Sequence, residues 1–229
     1  MKPCVIFDLD GTLCDTSLDL IAAANAAFRH LGRDTALDAD DPAHRAAALK
    51  GGRSMLRAGL ARLGEVDEDE VDRGYQPLLD AYAEAVCVHT TFFPGAREAV
   101  ARLREAGYAV GICTNKPEGL AVALMEGLGA SAEFHALVGA DTLPVRKPDP
   151  EPLRETIRRA GGHPERAILV GDTTTDRDTA EAAGLPCLLV GFMDPVDHLV
   201  RDGSELLADF AALDAAAHRL TAAEAQRIA

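Results

Sequence analysis

The stretch Cys4-Val5-Ile6-Phe7-Asp8-Leu9-Asp10-Gly11-Thr12 decides how the chain is read. Four apolar residues in a row, without the alternation of a half-solvated strand, suit a parallel β-strand buried on both faces. Two aspartates follow at once, and a ligand site in an open α/β sheet forms at the carboxyl ends of its strands. Carboxylates two residues apart can take different tasks. Asp8 can attack an electrophile such as phosphorus, while Asp10 can give and take a proton. Gly11 permits the tight turn. Asp-Gly is also a common turn dipeptide, so the reading depends on what stands after the later strands.

Working outward, similar apolar runs recur at Ala109-Val110-Gly111-Ile112-Cys113, Ala136-Leu137-Val138, Ala167-Ile168-Leu169-Val170 and Cys187-Leu188-Leu189-Val190. Helical patterns lie between them, over about 96–106, 118–128, 150–160, 175–183 and 204–218. Asp149-Pro150 reads as a helix cap with a first-turn proline, and Gly107, Gly129, Gly161 and Gly184 fall where helix-ending glycines belong. Strand alternating with helix predicts the α/β class, a doubly wound, Rossmann-like parallel sheet. One stretch breaks the alternation. From about Asp15 to Val88 the pattern is helical only, over about 17–31, 42–62 and 68–86. The expected domains are therefore residues 1–14 with 89–229 as the α/β core, and 15–88 as a small all-helical domain inserted after the first strand. Two short hinges, Cys14-Asp15-Thr16 and His89 to Gly95, join them.

Bulk properties narrow the function. At 229 residues and 48% apolar content, the chain can bury a large core. A net charge of −14 repels phosphate backbones and anionic lipid, which argues against nucleic acid and membrane partners. An anionic substrate would then need a cation and a few Lys or Arg concentrated at the site. Five cysteines, an odd number without a C-x-x-C, sit mostly in apolar runs and read as reduced core thiols. The N-terminus Met1-Lys2-Pro3 leads directly into the first strand pattern, so a cytoplasmic protein is expected.

Three further segments carry chemistry, each at a strand end or a helix start. Thr114-Asn115-Lys116-Pro117 places a hydroxyl, an amide and a helix N-terminus together, which suits a phosphate cradle. Arg146-Lys147-Pro148-Asp149-Pro150 offers an ammonium that can hold a phosphoryl group among carboxylates. Gly171-Asp172-Thr173-Thr174-Thr175-Asp176 can complete a hard-oxygen Mg²⁺ site with Asp8. Each segment also has a plain structural reading as a cap or a solvated charge. Their order, each at the expected place, gives the set its specificity.

With these residues the chain resembles the haloacid dehalogenase superfamily, and within it the phosphoglycolate phosphatase branch, from Val5 to about Val190. Gly139-Ala140-Asp141-Thr142-Leu143-Pro144-Val145 leading into Arg146-Lys147-Pro148 reads much like that branch. The resemblance implies Asp8 as nucleophile and metal ligand, and Asp10 as acid/base with its backbone carbonyl on the metal. Thr12 would support Asp10, Thr114 and Asn115 would bind phosphate, and Lys147 would pair with phosphate and Asp8. Asp172 would ligate Mg²⁺, with Asp176 ligating it or steering a bound water. Thr173 stands where the family more often has Ser. The helical insertion would be a cap closing over the site, and its Lys50-Gly51-Gly52-Arg53-Ser54 stretch departs from the branch pattern. There Gly52 permits close approach, and Arg53 suits capture of a substrate carboxylate.

The implied activity is Mg²⁺-dependent hydrolysis of a small anionic phosphate ester, 2-phosphoglycolate foremost, by a monomer or homodimer. A sugar-phosphate mutase would keep every core residue named here. Phosphatases for other small esters or pyrophosphate also remain. Asp10 argues against a dehalogenase, which needs no acid/base carboxylate at that position.

Overall fold

A computed structural model describes residues 1–192 and 195–228. Two compact units emerge, Met1–Cys14 with Phe92–Ala229, and Asp15–Thr91.

The first unit is built on a parallel sheet. It opens with β1 (Lys2–Phe7); the two-residue β2 (Cys14–Asp15), part of a separate two-stranded sheet, stands where the chain leaves the unit. In the second unit lie α1 (Ser17–His30), α2 (Pro42–Leu49), α3 (Gly52–Leu60) and α4 (Glu68–Glu84). The chain returns through β3 (Thr91–Phe92), which pairs with β2. It then alternates through α5 (Ala96–Glu105), β4 (Ala109–Cys113), α6 (Glu118–Gly127), β5 (Ala136–Val138) and α7 (Glu151–Arg159). The remaining elements are β6 (Gly162–Gly171), α8 (Thr174–Ala183), β7 (Cys187–Leu189), β8 (Ser204–Leu206) and α9 (Leu213–Ile228).

The six-stranded sheet runs β5-β4-β1-β6-β7-β8, each neighbouring pair parallel. β1 lies centrally, and its register sets the site: Phe7 pairs with Ile112 of β4 and with Val170 of β6. Asp8, Thr114 and Asp172 therefore emerge together at the carboxyl end of the sheet, within two residues of those paired positions. Cys4, Val5, Ile6 and Phe7 are fully buried, as are all of β4 and the Ala167–Gly171 half of β6. Helices packed on both faces explain why these runs are apolar throughout. On one face Leu153 and Ile157 of α7 and Ala180 of α8 join Cys4, Ile6, Cys113 and Leu169 in a single cluster. Four cysteines (Cys4, Cys14, Cys113 and Cys187) are buried in the sheet region, and Cys87 is half-buried in the helical unit.

Three local expectations are corrected. The helical reading of about 204–218 gives way to edge strand β8 over Ser204–Leu206, with the helix starting at Leu213. The single helix expected over 42–62 is broken at Gly51, whose φ of +95° no helix accommodates. β6 begins at Gly162, well before the apolar run, and carries the polar His163-Pro164-Glu165-Arg166 stretch into the strand.

The helical unit has its own core, with Phe28, Met55, Leu56, Leu78 and Tyr82 buried. Asp19, itself buried, ties its ends together. Its carboxylate accepts the backbone N–H of Val88, His89 and Thr90 at 2.9–3.0 Å and the Thr90 hydroxyl at 2.8 Å. Among the described residues no helix is long and apolar enough to cross a membrane.

Candidate active site

The site is assembled by loops that leave the carboxyl ends of adjacent strands. Asp8 follows β1, and its backbone N–H donates to the Val170 carbonyl at 2.8 Å, anchoring it to β6. The Leu9 N–H donates to Asp8 Oδ1 at 2.7 Å, which fixes the carboxylate's rotamer. Thr12, fully buried, donates its hydroxyl to Asp172 Oδ1 at 2.7 Å, stitching the first loop to the one after β6.

Two glycines make this convergence sterically possible. Gly11 has a φ of +81°, and a Cβ there would collide with the Asp172 carboxylate. At Gly171 a Cβ would run into the Asp176 side chain, so the bare backbone lets Asp176 reach back over the strand end. Asp176 also caps its own helix: Thr173 donates its N–H at 3.0 Å and its hydroxyl at 2.5 Å to Oδ2. Thr173 Oγ1 in turn accepts the Asp176 N–H, completing a capping box.

Lys147 arrives in the loop between β5 and α7, buried among these acids. Its Nζ lies 2.6 Å from Asp176 Oδ1 and 3.2 Å from Asp8 Oδ1. Asn115 holds that loop in place, donating from Nδ2 to the Lys147 carbonyl at 3.0 Å. Thr114, buried at the end of β4, donates its N–H to Val138 and accepts the Lys116 N–H at its hydroxyl.

The electrostatics are those of anions crowded out of water. Burial, helped by the charges of Asp176 and Asp10, pushes the Asp8 carboxyl up to about 6 against the downward pull of the Lys147 ammonium and the Leu9 N–H. Asp172 is raised well above the usual carboxylate range by burial and by the charges of Asp176 and Asp8. Burial pulls Lys147 downward, but the charges of Asp176 and Asp8 outweigh it and drive the group upward. One ammonium against three clustered carboxylates leaves an excess of negative charge. Asp8, Asp172 and Asp176 offer ligand oxygens within 4.8 Å of one another. A set of hard oxygens this close, two of them reluctant to ionise, fits a divalent cation that would supply the missing positive charge.

Asp8, Asp10, Thr12, Thr114, Asn115, Lys147, Asp172 and Asp176 thus all belong to the sheet unit. Gly52 and Arg53 belong to the helical unit, where Arg53 pairs with Asp72 and lies 4.4 Å from the centre of the Tyr75 ring. One residue at the site escaped the sequence reading. Lys116, buried, places its Nζ 3.0 and 3.2 Å from the two oxygens of Asp10. Its only signal was its place in the Thr114-Asn115-Lys116-Pro117 segment.

Residues 2–184 match the family model of haloacid dehalogenase-like hydrolases. The phosphoglycolate phosphatase of Mesorhizobium japonicum is 44% identical over 192 residues, covering 83% of each chain. That of Rhodospirillum rubrum is 37% identical over 197 residues, covering 84% of this chain and 80% of the other. Among solved structures, a predicted phosphoglycolate phosphatase from Haemophilus somnus superimposes with a TM-score of 0.77. It is 22% identical, covering 94% of this chain and 97% of that one, a likeness of fold alone.

Proposed function

The chain belongs to the haloacid dehalogenase-like hydrolases and is a phosphatase, and on that footing we propose that it hydrolyses 2-phosphoglycolate through a phosphoaspartate formed on Asp8. The observation that carries the chemistry is the placement of Asp8 within an acidic cluster where the buried Lys147 ammonium lies 3.2 Å from Asp8 and 2.6 Å from Asp176. The substrate rests on the 44% identity to a phosphoglycolate phosphatase.

In the first half-reaction an Asp8 carboxylate oxygen bonds to phosphorus as the ester O–P bond breaks. The electron pair leaves on the glycolate oxygen, which takes a proton from Asp10. Water then attacks phosphorus and gives its proton to Asp10, while the Asp8–phosphorus bond breaks and phosphate departs. Lys147 holds the Asp8 carboxylate in line and balances charge on the phosphoryl oxygens. Thr114 and Asn115 orient those oxygens through hydroxyl, amide and backbone N–H groups. Mg²⁺ held by Asp8, the Asp10 carbonyl, Asp172 and Asp176 would neutralise the crowded acids and let an anionic phosphoryl group approach. Thr12 steadies Asp172 for that duty. The helical unit serves as a cap that excludes water, with Gly52 and Arg53 recognising the substrate carboxylate.

The test is phosphate release from 2-phosphoglycolate, 3-phosphoglycerate, β-glucose 1-phosphate, pyrophosphate and a nucleoside monophosphate, with Mg²⁺ or EDTA. Phosphoglycolate is expected to give the highest kcat/KM, and EDTA or Asp8→Asn to abolish release. Release favouring another ester would keep the chemistry and overturn the substrate. Isomerisation of β-glucose 1-phosphate without net release would replace the phosphatase by a mutase.

A further inference from the structure

Two lysines are buried at the site, and each serves a different carboxylate. Lys147 bridges Asp8 and Asp176, whereas Lys116 engages Asp10 through both of its oxygens, at 3.0 and 3.2 Å. The Lys116 side chain is 4% exposed and that of Asp10 19%, so the pair is largely out of water. Lys116 is also fixed by its backbone. Its N–H donates to Thr114 Oγ1 at 3.2 Å, and its carbonyl accepts the Ala140 N–H at 2.9 Å. Since β1 and β4 are parallel neighbours in a set register, Asp10 and Lys116 meet across two loops rooted in one rigid sheet.

We propose that Lys116 is a positioning residue that holds the Asp10 carboxyl at the spot where it protonates the leaving oxygen. The inference rests on the phosphoaspartate reading of the site. A carboxylate on a turn that contains Gly11 has a rotatable side chain, and proton transfer demands a donor within hydrogen-bond reach of the departing oxygen. A fixed ammonium touching both carboxylate oxygens removes that freedom before substrate arrives. Lys147 cannot substitute, because its ammonium is committed to Asp8 and Asp176.

Loss of the positioning should therefore hurt only those esters whose leaving group needs a proton. The comparison is Lys116→Met against wild type, using 2-phosphoglycolate, whose alkoxide must be protonated, and p-nitrophenyl phosphate and acetyl phosphate, whose leaving groups depart as stable anions. kcat/KM reports only the steps through the first bond cleavage, and its ratio between two substrates is independent of how much of a variant has folded. The expected result is a fall on the order of 10²-fold for phosphoglycolate, the typical worth of general-acid catalysis, with less than about a threefold change for the activated esters. Lys116→Arg, which keeps the charge and can reach both Asp10 oxygens with a fork of donors in place of the ammonium, should recover most of the loss. Equal losses on both classes of ester, or no loss on either, would overturn the role of Lys116 while leaving the phosphatase intact. A wild-type protein inactive on every ester would instead overturn the phosphatase reading itself.

Discussion

Replacing Lys147 by Met removes one ammonium and keeps nearly all of its stem, so it isolates the charge. The side chain is 1% exposed, and its partners Asp176 and Asp8 are 0% and 12% exposed. At neutral pH the variant would bury two carboxylates without their counter-ion. Breaking a buried pair in this way costs about 3–5 kcal/mol. Thr173 still donates to Asp176 through its N–H and hydroxyl, which places the expected loss near the lower figure. For a chain of this size that is a fall in Tm on the order of 10 °C. The sign of the pH dependence follows from the groups involved. Lys147 is raised above its ordinary value of 10.5, so its contribution in wild type is fully present below that value and is lost only at alkaline pH. In the variant Asp8, already raised by burial, loses the ammonium that pulled it down, so the deficit is largest at pH 7 and shrinks towards pH 5 and below. The assay is urea unfolding of both proteins in EDTA at the two pH values, with Lys147→Met/Asp176→Asn expected to regain part of the loss. A deficit under about 1 kcal/mol, or one equal at both pH values, would refute the reasoning.

Other outcomes follow from the same geometry. Asp8, raised from 3.8 to about 6, contributes stability that is present below 3.8 and lost as pH rises through about 6. At ~1.4 kcal/mol per pH unit that amounts to about 3 kcal/mol by pH 7. Mg²⁺ should restore it, so the metal-induced rise in Tm, followed by differential scanning fluorimetry, should be larger at pH 7 than at pH 5; equal rises would count against the cluster as the metal site. Gly11→Ala combines a φ of +81° with a collision against Asp172, and should cost about 1–3 kcal/mol in urea unfolding. It should also lower kcat at least tenfold in the ester assay; an unimpaired enzyme would show that the first loop is not held against Asp172. Asp19→Ala strands the buried N–H and hydroxyl of Thr90 and frees the part-buried N–H groups of Val88 and His89, and calorimetry should show a loss of about 2 kcal/mol or more, given ~1–3 per orphaned buried group.

Long-range order was legible where burial imposed it. The runs at Cys4–Phe7, Ala109–Cys113 and Ala167–Val170 are apolar because helices cover both faces of the sheet, and that demand leaves an unbroken hydrophobic signature. Strand β8 was not legible because it sits at the sheet edge with β7 as its one neighbour; Ser204-Glu205-Leu206 has too little burial to mark it. The break at Gly51 was hidden because the helical pattern continues on both sides, and the turn is set by one glycine's backbone. The gathering of Asp8, Thr114 and Asp172 followed from strand ends in register. The engagement of Asp10 by Lys116 did not, since a single lysine carries no periodicity and meets its partner 106 residues away in sequence.

The placing of the cysteines bears on how the molecule meets electrophiles. Burial pushes the Cys113 thiol to about 11 and that of Cys4 to about 12, with Cys187 driven upward as well. A thiol reacts as its thiolate, and these are both out of reach and unwilling to ionise. Only the half-buried Cys87 is open to iodoacetamide in the native chain, whereas all five become available on unfolding. Brief alkylation followed by mass spectrometry would then separate native molecules, carrying at most one adduct, from opened ones carrying five. The distribution of adduct number would read out the unfolded fraction without any introduced probe.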